Sequence, residues 1–73
     1  MIEIYSNSNE IRIDGQPTGY HVAQRADRTV VYRSDGTEIK MPHPRYALSH
    51  NKPASHVPGR ADFEADLRNT VGL

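Results

Sequence analysis

Two short segments near the N-terminus, residues 1–5 and 10–14, each place two isoleucines on either side of a charged residue. The isoleucines are Ile2, Ile4, Ile11 and Ile13. A period of two puts alternate side chains on opposite faces of a β-strand, so the four isoleucines are predicted to share one face. Residues 6–9 between them are serines and asparagines, which favour turns. The pattern therefore predicts an antiparallel hairpin.

Further strands are predicted after a break at residues 14–19, which contain two glycines and a proline. Segments 20–25 and 29–33 are rich in β-branched and aromatic residues, as strands are, and three residues link them. Tyr20 and Tyr32 are assigned to the core together with the valines of these segments.

The strongest hairpin signal is the dipeptide formed by Asp35 and Gly36, which accepts the positive φ of a type I′ turn. Residues 37–41 alternate again and are expected to pair back onto the preceding strand. Residues 1–41 thus predict an antiparallel β-meander of four to five strands. The predicted core is Ile2, Ile4, Ile11, Ile13, Val22, Val30, Ile39 and Met41.

Residues 42–60 have a different composition, with four of the five prolines. Proline lacks the N–H donor that helices and sheets require. One helical turn is predicted at 44–49. Only three residues of the segment offer substantial apolar surface, too little to offset the entropy of ordering nineteen residues. We expect a flexible Pro/His-rich segment, mobile above all at residues 49–60.

Residues 61–73 regain a helical period, because Phe63, Leu67 and Val71 are spaced by four. Gly72 is suited to cap the C-terminus of such a helix. The predicted fold class is α+β: the antiparallel meander, the flexible segment 42–60 and a short C-terminal helix or tail.

Composition narrows the class of protein. The 73 residues include nine Lys and Arg and nine Asp and Glu, so the net charge is zero. The chain as a whole is therefore not attracted electrostatically to nucleic acids or membranes. The absence of cysteine excludes disulfides and thiolate-bound zinc. The first residues lack the basic lead and apolar run of a signal peptide, and no segment approaches a membrane span. The expected location is the cytoplasm.

Candidate catalytic and metal-binding groups are few. The spacings between His43, His50 and His56 match neither a helical metal pair nor a zinc finger. They are interpreted as loop histidines, and neither a metal nor another cofactor is predicted. No oriented serine–base pair and no phosphate-binding glycine loop is recognisable, so no catalytic residue is assigned and an enzyme is not expected.

The distribution of charge suggests a partner-binding region. Residues 20–60 carry a net charge of +4, whereas the two flanking segments each carry −2. Arginine can hold a carboxylate by two hydrogen bonds. The predicted partner-binding residues are Arg25, Arg28, Arg33 and Arg45. Two alternatives stay open: the spaced cations simply solvate a loop, or the partner adds a strand to the edge formed by residues 1–5.

Taken over all 73 residues, the chain resembles the small host-RNA-polymerase-binding transcription regulators of Xanthomonas-infecting phages. The resemblance rests on the opening strand at residues 1–5, the short β-rich body and the proline- and histidine-rich C-terminal third. It implies a non-enzymatic protein that binds bacterial RNA polymerase, inhibits initiation at host promoters by interfering with sigma-factor engagement and suppresses termination. No compact motif carries the resemblance, so it assigns no functional residue.

The interpretation that follows is a protein that is monomeric when free and acts in the host bacterial cytoplasm. Its partner would be RNA polymerase, with indirect contact to nucleic acid and none to membrane. The alternative is a small nucleic-acid-binding module that uses the basic central segment. A virion structural component is a third, weaker option.

Overall fold

A computed structural model describes residues 1–49 and 57–73, and the chain divides into two compact units, Met1–Lys40 and Met41–Leu73. Among the described residues the first unit forms one five-stranded antiparallel sheet with the strands in chain order. The strands are β1 (Ile2–Ile4), β2 (Glu10–Ile13), β3 (Gln16–Gln24), β4 (Thr29–Arg33) and β5 (Glu38–Ile39). The second unit contains the helix α1 (Arg60–Val71). The predicted α+β class, a small meander with a short C-terminal helix, is confirmed.

The two faces of the sheet differ in polarity as the alternation predicts. Ile2 lies opposite Ile13 and Ile4 lies opposite Ile11, so the four isoleucines share one face, which we call the inner face. The buried residues of this face are Ile2, Ile11, Ile13, Val22, Thr29 and Val31. Glu3 and Arg12 also lie opposite each other and project from the other side, which we call the outer face.

The predicted core is wrong at one valine of β4. Val22 pairs with Val31 and Ala23 pairs with Val30, so Val31 is the buried inner-face residue and Val30 is half-buried on the outer face. Ile4, Ile39 and Met41 are also only half-buried.

The same register places Tyr20 and Tyr32 on opposite faces of the sheet. Tyr20 lies beside Val22 on the inner face, and Tyr32 lies beside Val30 on the outer face. Both are half-buried, so the prediction that both tyrosines belong to the core is wrong.

The predicted loop at residues 14–19 is in fact a two-residue turn followed directly by β3. Asp14 and Gly15 have φ values of 53° and 81°, the pair of positive values that defines a type I′ turn. Pro17 lies opposite Arg12, one position beyond the pair that closes the turn. At that position the backbone nitrogen points away from β2, so the proline deprives the ladder of no hydrogen bond.

A bulge in β3 follows Pro17, where the register with β2 shifts between Glu10 and Arg12. Gly19 has a φ of 81°, which glycine adopts without strain. The hydroxyl of Thr18 donates to the carbonyl of Ile11 at 2.7 Å and accepts from the N–H of Tyr20 at 3.2 Å. This side chain therefore replaces the backbone partners that the bulge removes.

The β4–β5 hairpin is confirmed, but its predicted type I′ turn is wrong. Arg33 accepts a hydrogen bond from Gly36 at 2.9 Å around Ser34 and Asp35, neither of which has positive φ. Gly36 alone is left-handed, at 92°, so the connection is a type I turn followed by a glycine bulge. The N–H of Thr37 donates to the Asp35 carboxylate at 2.9 Å and lowers the pKa of that group.

The second unit is built around Tyr46, Phe63 and Leu67, which are fully buried. Ala47 forms a parallel bridge with Gly59, so the helical turn predicted at 44–49 is wrong. The predicted helix is confirmed and begins at Arg60, with Gly72 in the left-handed conformation at its C-terminus. The mobility predicted for residues 49–60 falls mostly on 50–56, together with His50 and His56, outside the described residues.

Candidate interaction surface

Four side chains form a row straight across the outer face, from β2 to β5. Glu10 lies opposite His21, His21 opposite Tyr32, and Tyr32 opposite Glu38. Each pair occupies one register position, so all four project from the same side of the sheet. The row consists of two aromatic rings between two carboxylates.

The two rings of this row are held in a fixed arrangement. The rings of His21 and Tyr32 stack with centroids 5.4 Å apart and planes 17° from parallel. His21 Nδ1 lies 2.9 Å from the carbonyl oxygen of Ser8, which can only accept, so Nδ1 carries the hydrogen. His21 Nε2 lies 3.2 Å from the hydroxyl of Ser34. Contacts to two different loops therefore orient the imidazole and, through it, the phenol ring.

A second cluster lies beside the row, nearer to β1. The guanidinium of Arg12 lies 4.4 Å from the centre of the Tyr5 ring, and its Nε donates to Glu10 Oε1 at 2.8 Å. The hydrogen bond to Glu10 raises the pKa of Arg12. One arginine is thus bound by an aromatic ring and a carboxylate together.

Carboxylates outnumber cations within the strands of the outer face, although the chain has zero net charge. Within the strands, the charged residues of this face are three carboxylates, Glu3, Glu10 and Glu38, and one guanidinium, that of Arg12. The same alternation puts Arg25, Arg28 and Lys40 on this side just beyond the strand ends, so the acidic part of the face is the part within the strands. Glu3 and Glu38 are exposed. Net charge along the sequence did not indicate this surface, because it emerges only when the strands pair in register.

Of the four arginines predicted to bind a partner, three belong to the first unit and lie at the two ends of the β3–β4 hairpin. Arg25 and Arg28 flank the β3–β4 turn, where the Arg25 N–H donates to the Arg28 carbonyl at 2.8 Å. Arg33 lies at the opposite end of that hairpin, with its guanidinium 5.8 Å from the centre of the Tyr20 ring. Arg45 belongs to the second unit. The turn pair is therefore the one group of these arginines that the first unit brings together.

The second unit contains a buried polar contact. The Tyr46 hydroxyl donates to Asp66 Oδ2 at 2.7 Å, and burial raises the pKa of Tyr46, with a further contribution from this hydrogen bond. The Tyr46 ring also meets Phe63 edge to face, with centroids 5.1 Å apart. These contacts fix the segment before the helix onto the helix, so Tyr46 is a structural residue.

No protein-family model, curated protein or solved structure matches this chain. Within residues 1–49 and 57–73, no three acidic or histidine side chains come together in a way that could hold a metal ion. Across the same residues, no helix is both long enough and apolar enough to cross a membrane. The outer face has to be interpreted from its own geometry.

Proposed function

We propose that this chain is a non-enzymatic regulator that binds bacterial RNA polymerase in the host cytoplasm. It inhibits initiation at host promoters by interfering with sigma-factor engagement, and it suppresses transcription termination. The choice of polymerase is supported by the resemblance to small phage regulators described above. The observation that carries recognition of a protein is the outer face, where oriented aromatic rings and charged side chains share one side of the sheet. Aromatic residues and arginine are enriched at protein interfaces.

The carboxylates beside the stacked rings of the outer face favour a protein over a nucleic acid as the partner. Nucleic-acid affinity depends largely on cations that neutralise phosphates, and exposed aromatic rings then stack on bases. Here the stacked rings lie between Glu10 and Glu38, which repel phosphate. The alternative of a small nucleic-acid-binding module is supported instead by Arg25 and Arg28 at the β3–β4 turn.

Co-purification from a bacterial lysate tests the proposal. An affinity-tagged chain is expected to retain the polymerase subunits in stoichiometric amounts after nuclease treatment. Loss of all retained protein after nuclease treatment would instead support the nucleic-acid alternative.

Transcription in vitro provides the second test. With purified polymerase and sigma factor, the chain is expected to reduce initiation at a host promoter and to increase read-through at a terminator downstream of an already elongating polymerase. Polymerase that binds the chain with no change in either step would contradict the regulatory part of the proposal.

A further inference from the structure

We propose that the outer face binds an arginine-bearing basic segment of a partner protein, whose guanidinium enters between Tyr32 and Glu38. This inference rests on the proposed function, since it specifies the chemistry of the protein partner. It concerns the sheet of the first unit alone.

The first step concerns the free side of the Tyr32 ring. His21 on β3 stacks against one side of this ring. β5 lies on the other side of β4, and its Glu38 is the cross-strand partner of Tyr32. The remaining face of the ring is therefore turned toward a carboxylate. Cross-strand neighbours have Cβ atoms about 5 Å apart, so a planar cation that contacts this face of the ring also lies within reach of the Glu38 carboxylate.

The second step is that this combination of groups already binds an arginine elsewhere on the same face. Arg12 lies over the Tyr5 ring and donates to Glu10. Tyr32 and Glu38 repeat the pairing of phenol ring and carboxylate. In the described part of the chain, guanidinium groups lie over the rings of Tyr5 and Tyr20. The Tyr32 ring has no such group over it there, so an arginine of a partner can cover it.

The third step concerns charge and rigidity. Glu38 is exposed and is the cross-strand partner of Tyr32, so the site presents a carboxylate that complements a cationic group and opposes an acidic one. His21 is bound at both ring nitrogens, so the Tyr32 platform is ordered before a partner arrives. A preordered site loses less side-chain entropy on binding. Arginine is preferred to lysine here because its planar guanidinium stacks on rings.

Titration of the isotope-labelled chain with a blocked Gly-Arg-Gly-Arg-Gly peptide, followed by NMR, tests this assignment. Chemical-shift changes are expected at Tyr32, Glu38 and their outer-face neighbours, with a weaker response to the lysine analogue. Glu38→Gln should weaken binding about threefold and Tyr32→Leu about threefold. Asp27→Asn, which removes an equal charge at the exposed β3–β4 turn, should leave the affinity unchanged.

Three results would overturn the inference: shifts confined to other residues, equal weakening by Asp27→Asn, or tighter binding of a uridine octamer at the same residues. Because Glu38 is exposed, Glu38→Gln is expected to fold. It therefore tests the inference even if Tyr32→Leu does not fold. The peptide titration does not involve polymerase. Retention of polymerase without a peptide response would refute this inference alone, and a peptide response without retention of polymerase would refute the polymerase proposal alone.

Discussion

At the scale of the residue, Tyr46 shows how a single side chain can hold an otherwise irregular segment. It is fully buried, its ring contacts Phe63 and its hydroxyl donates to Asp66. Four prolines surround it in the sequence, and few apolar residues accompany it. Apolar content alone underestimated how well the part of this segment around Tyr46 is held in place. The Tyr46 hydroxyl has a partner twenty residues away, which no local sequence pattern indicates.

Tyr46 should make stability depend on alkaline pH. Because burial raises the pKa of Tyr46 above the value of about 10 that an unfolded tyrosine has, the folded state keeps the proton longer. The contribution of the Tyr46 hydroxyl to the free energy of unfolding is complete below about pH 10 and decreases as the pH rises further. Tyr46→Phe should lower the free energy of unfolding by about 1–3 kcal/mol at pH 7, and this difference should narrow above pH 10.

Urea unfolding of both proteins between pH 7 and pH 11 measures this difference. The other tyrosines are common to the two proteins, so their titration cancels in the comparison. A difference that stays constant across the range would show that the hydroxyl does not keep its proton in the folded state.

At the scale of the element, the two Asp-Gly dipeptides show what sequence can and cannot predict. Both form hairpin turns, as their composition indicates. However, the type I′ turn is at Asp14 and Gly15, whereas Asp35 and Gly36 belong to a type I turn with a glycine bulge. The number of residues between the paired strands decides the turn type, and that number depends on the register of the whole hairpin.

Register also explains why the outer face was missed. The isoleucines of β1 and β2 alternate cleanly with charged residues, so their inner face was predictable. β4 contains adjacent valines, Val30 and Val31, and alternation within the strand does not decide which one is buried. The β3–β4 turn decides it by pairing Val31 with Val22, and Tyr32 follows onto the outer face.

The bulge in β3 should depend on one hydroxyl. Thr18→Val keeps the shape of the side chain but leaves the Ile11 carbonyl and the Tyr20 N–H without the hydroxyl that joins them. A loss of about 1–3 kcal/mol in the free energy of unfolding is expected, because both groups are partly buried.

Denaturant titration checks the size of this effect, with Thr70→Val on the exposed side of α1 as the matched control. Equal stability of the two variants would mean that the hydroxyl of Thr18 does not support the bulge.

At the scale of the whole molecule, the arginines and the site at Tyr32 and Glu38 attract partner groups of opposite charge. The arginines attract acidic groups, whereas the Glu38 carboxylate beside Tyr32 attracts cations. Binding through Arg25, Arg28, Arg33 and Arg45 stays a prediction, and the structure allows it to be tested in parts. Arg25→Glu with Arg28→Glu changes the β3–β4 turn, whereas Arg33→Glu changes the opposite end of the hairpin.

Reversing all four charges is expected to weaken polymerase binding and slow association, with the unfolding curve unchanged because exposed charges contribute little to stability. Association of the unmodified chain should also slow as salt rises. Surface plasmon resonance on the fourfold variant, the turn variant and Arg45→Glu would show which group is responsible. Undiminished affinity of a folded fourfold variant would exclude the arginines and leave the outer face and the first strand as candidates.

The sequential order of the strands has a consequence for how the sheet forms. Each strand pairs with the one synthesised immediately before it, and the tightest connection spans only two residues, Asp14 and Gly15. Short connections keep the entropy of loop closure small, and low contact order is associated with fast folding. The hairpins can therefore form one after another as the nascent chain leaves the ribosome, because each strand pairs with a neighbour in sequence. The sheet can form within the time that the chain takes to be translated.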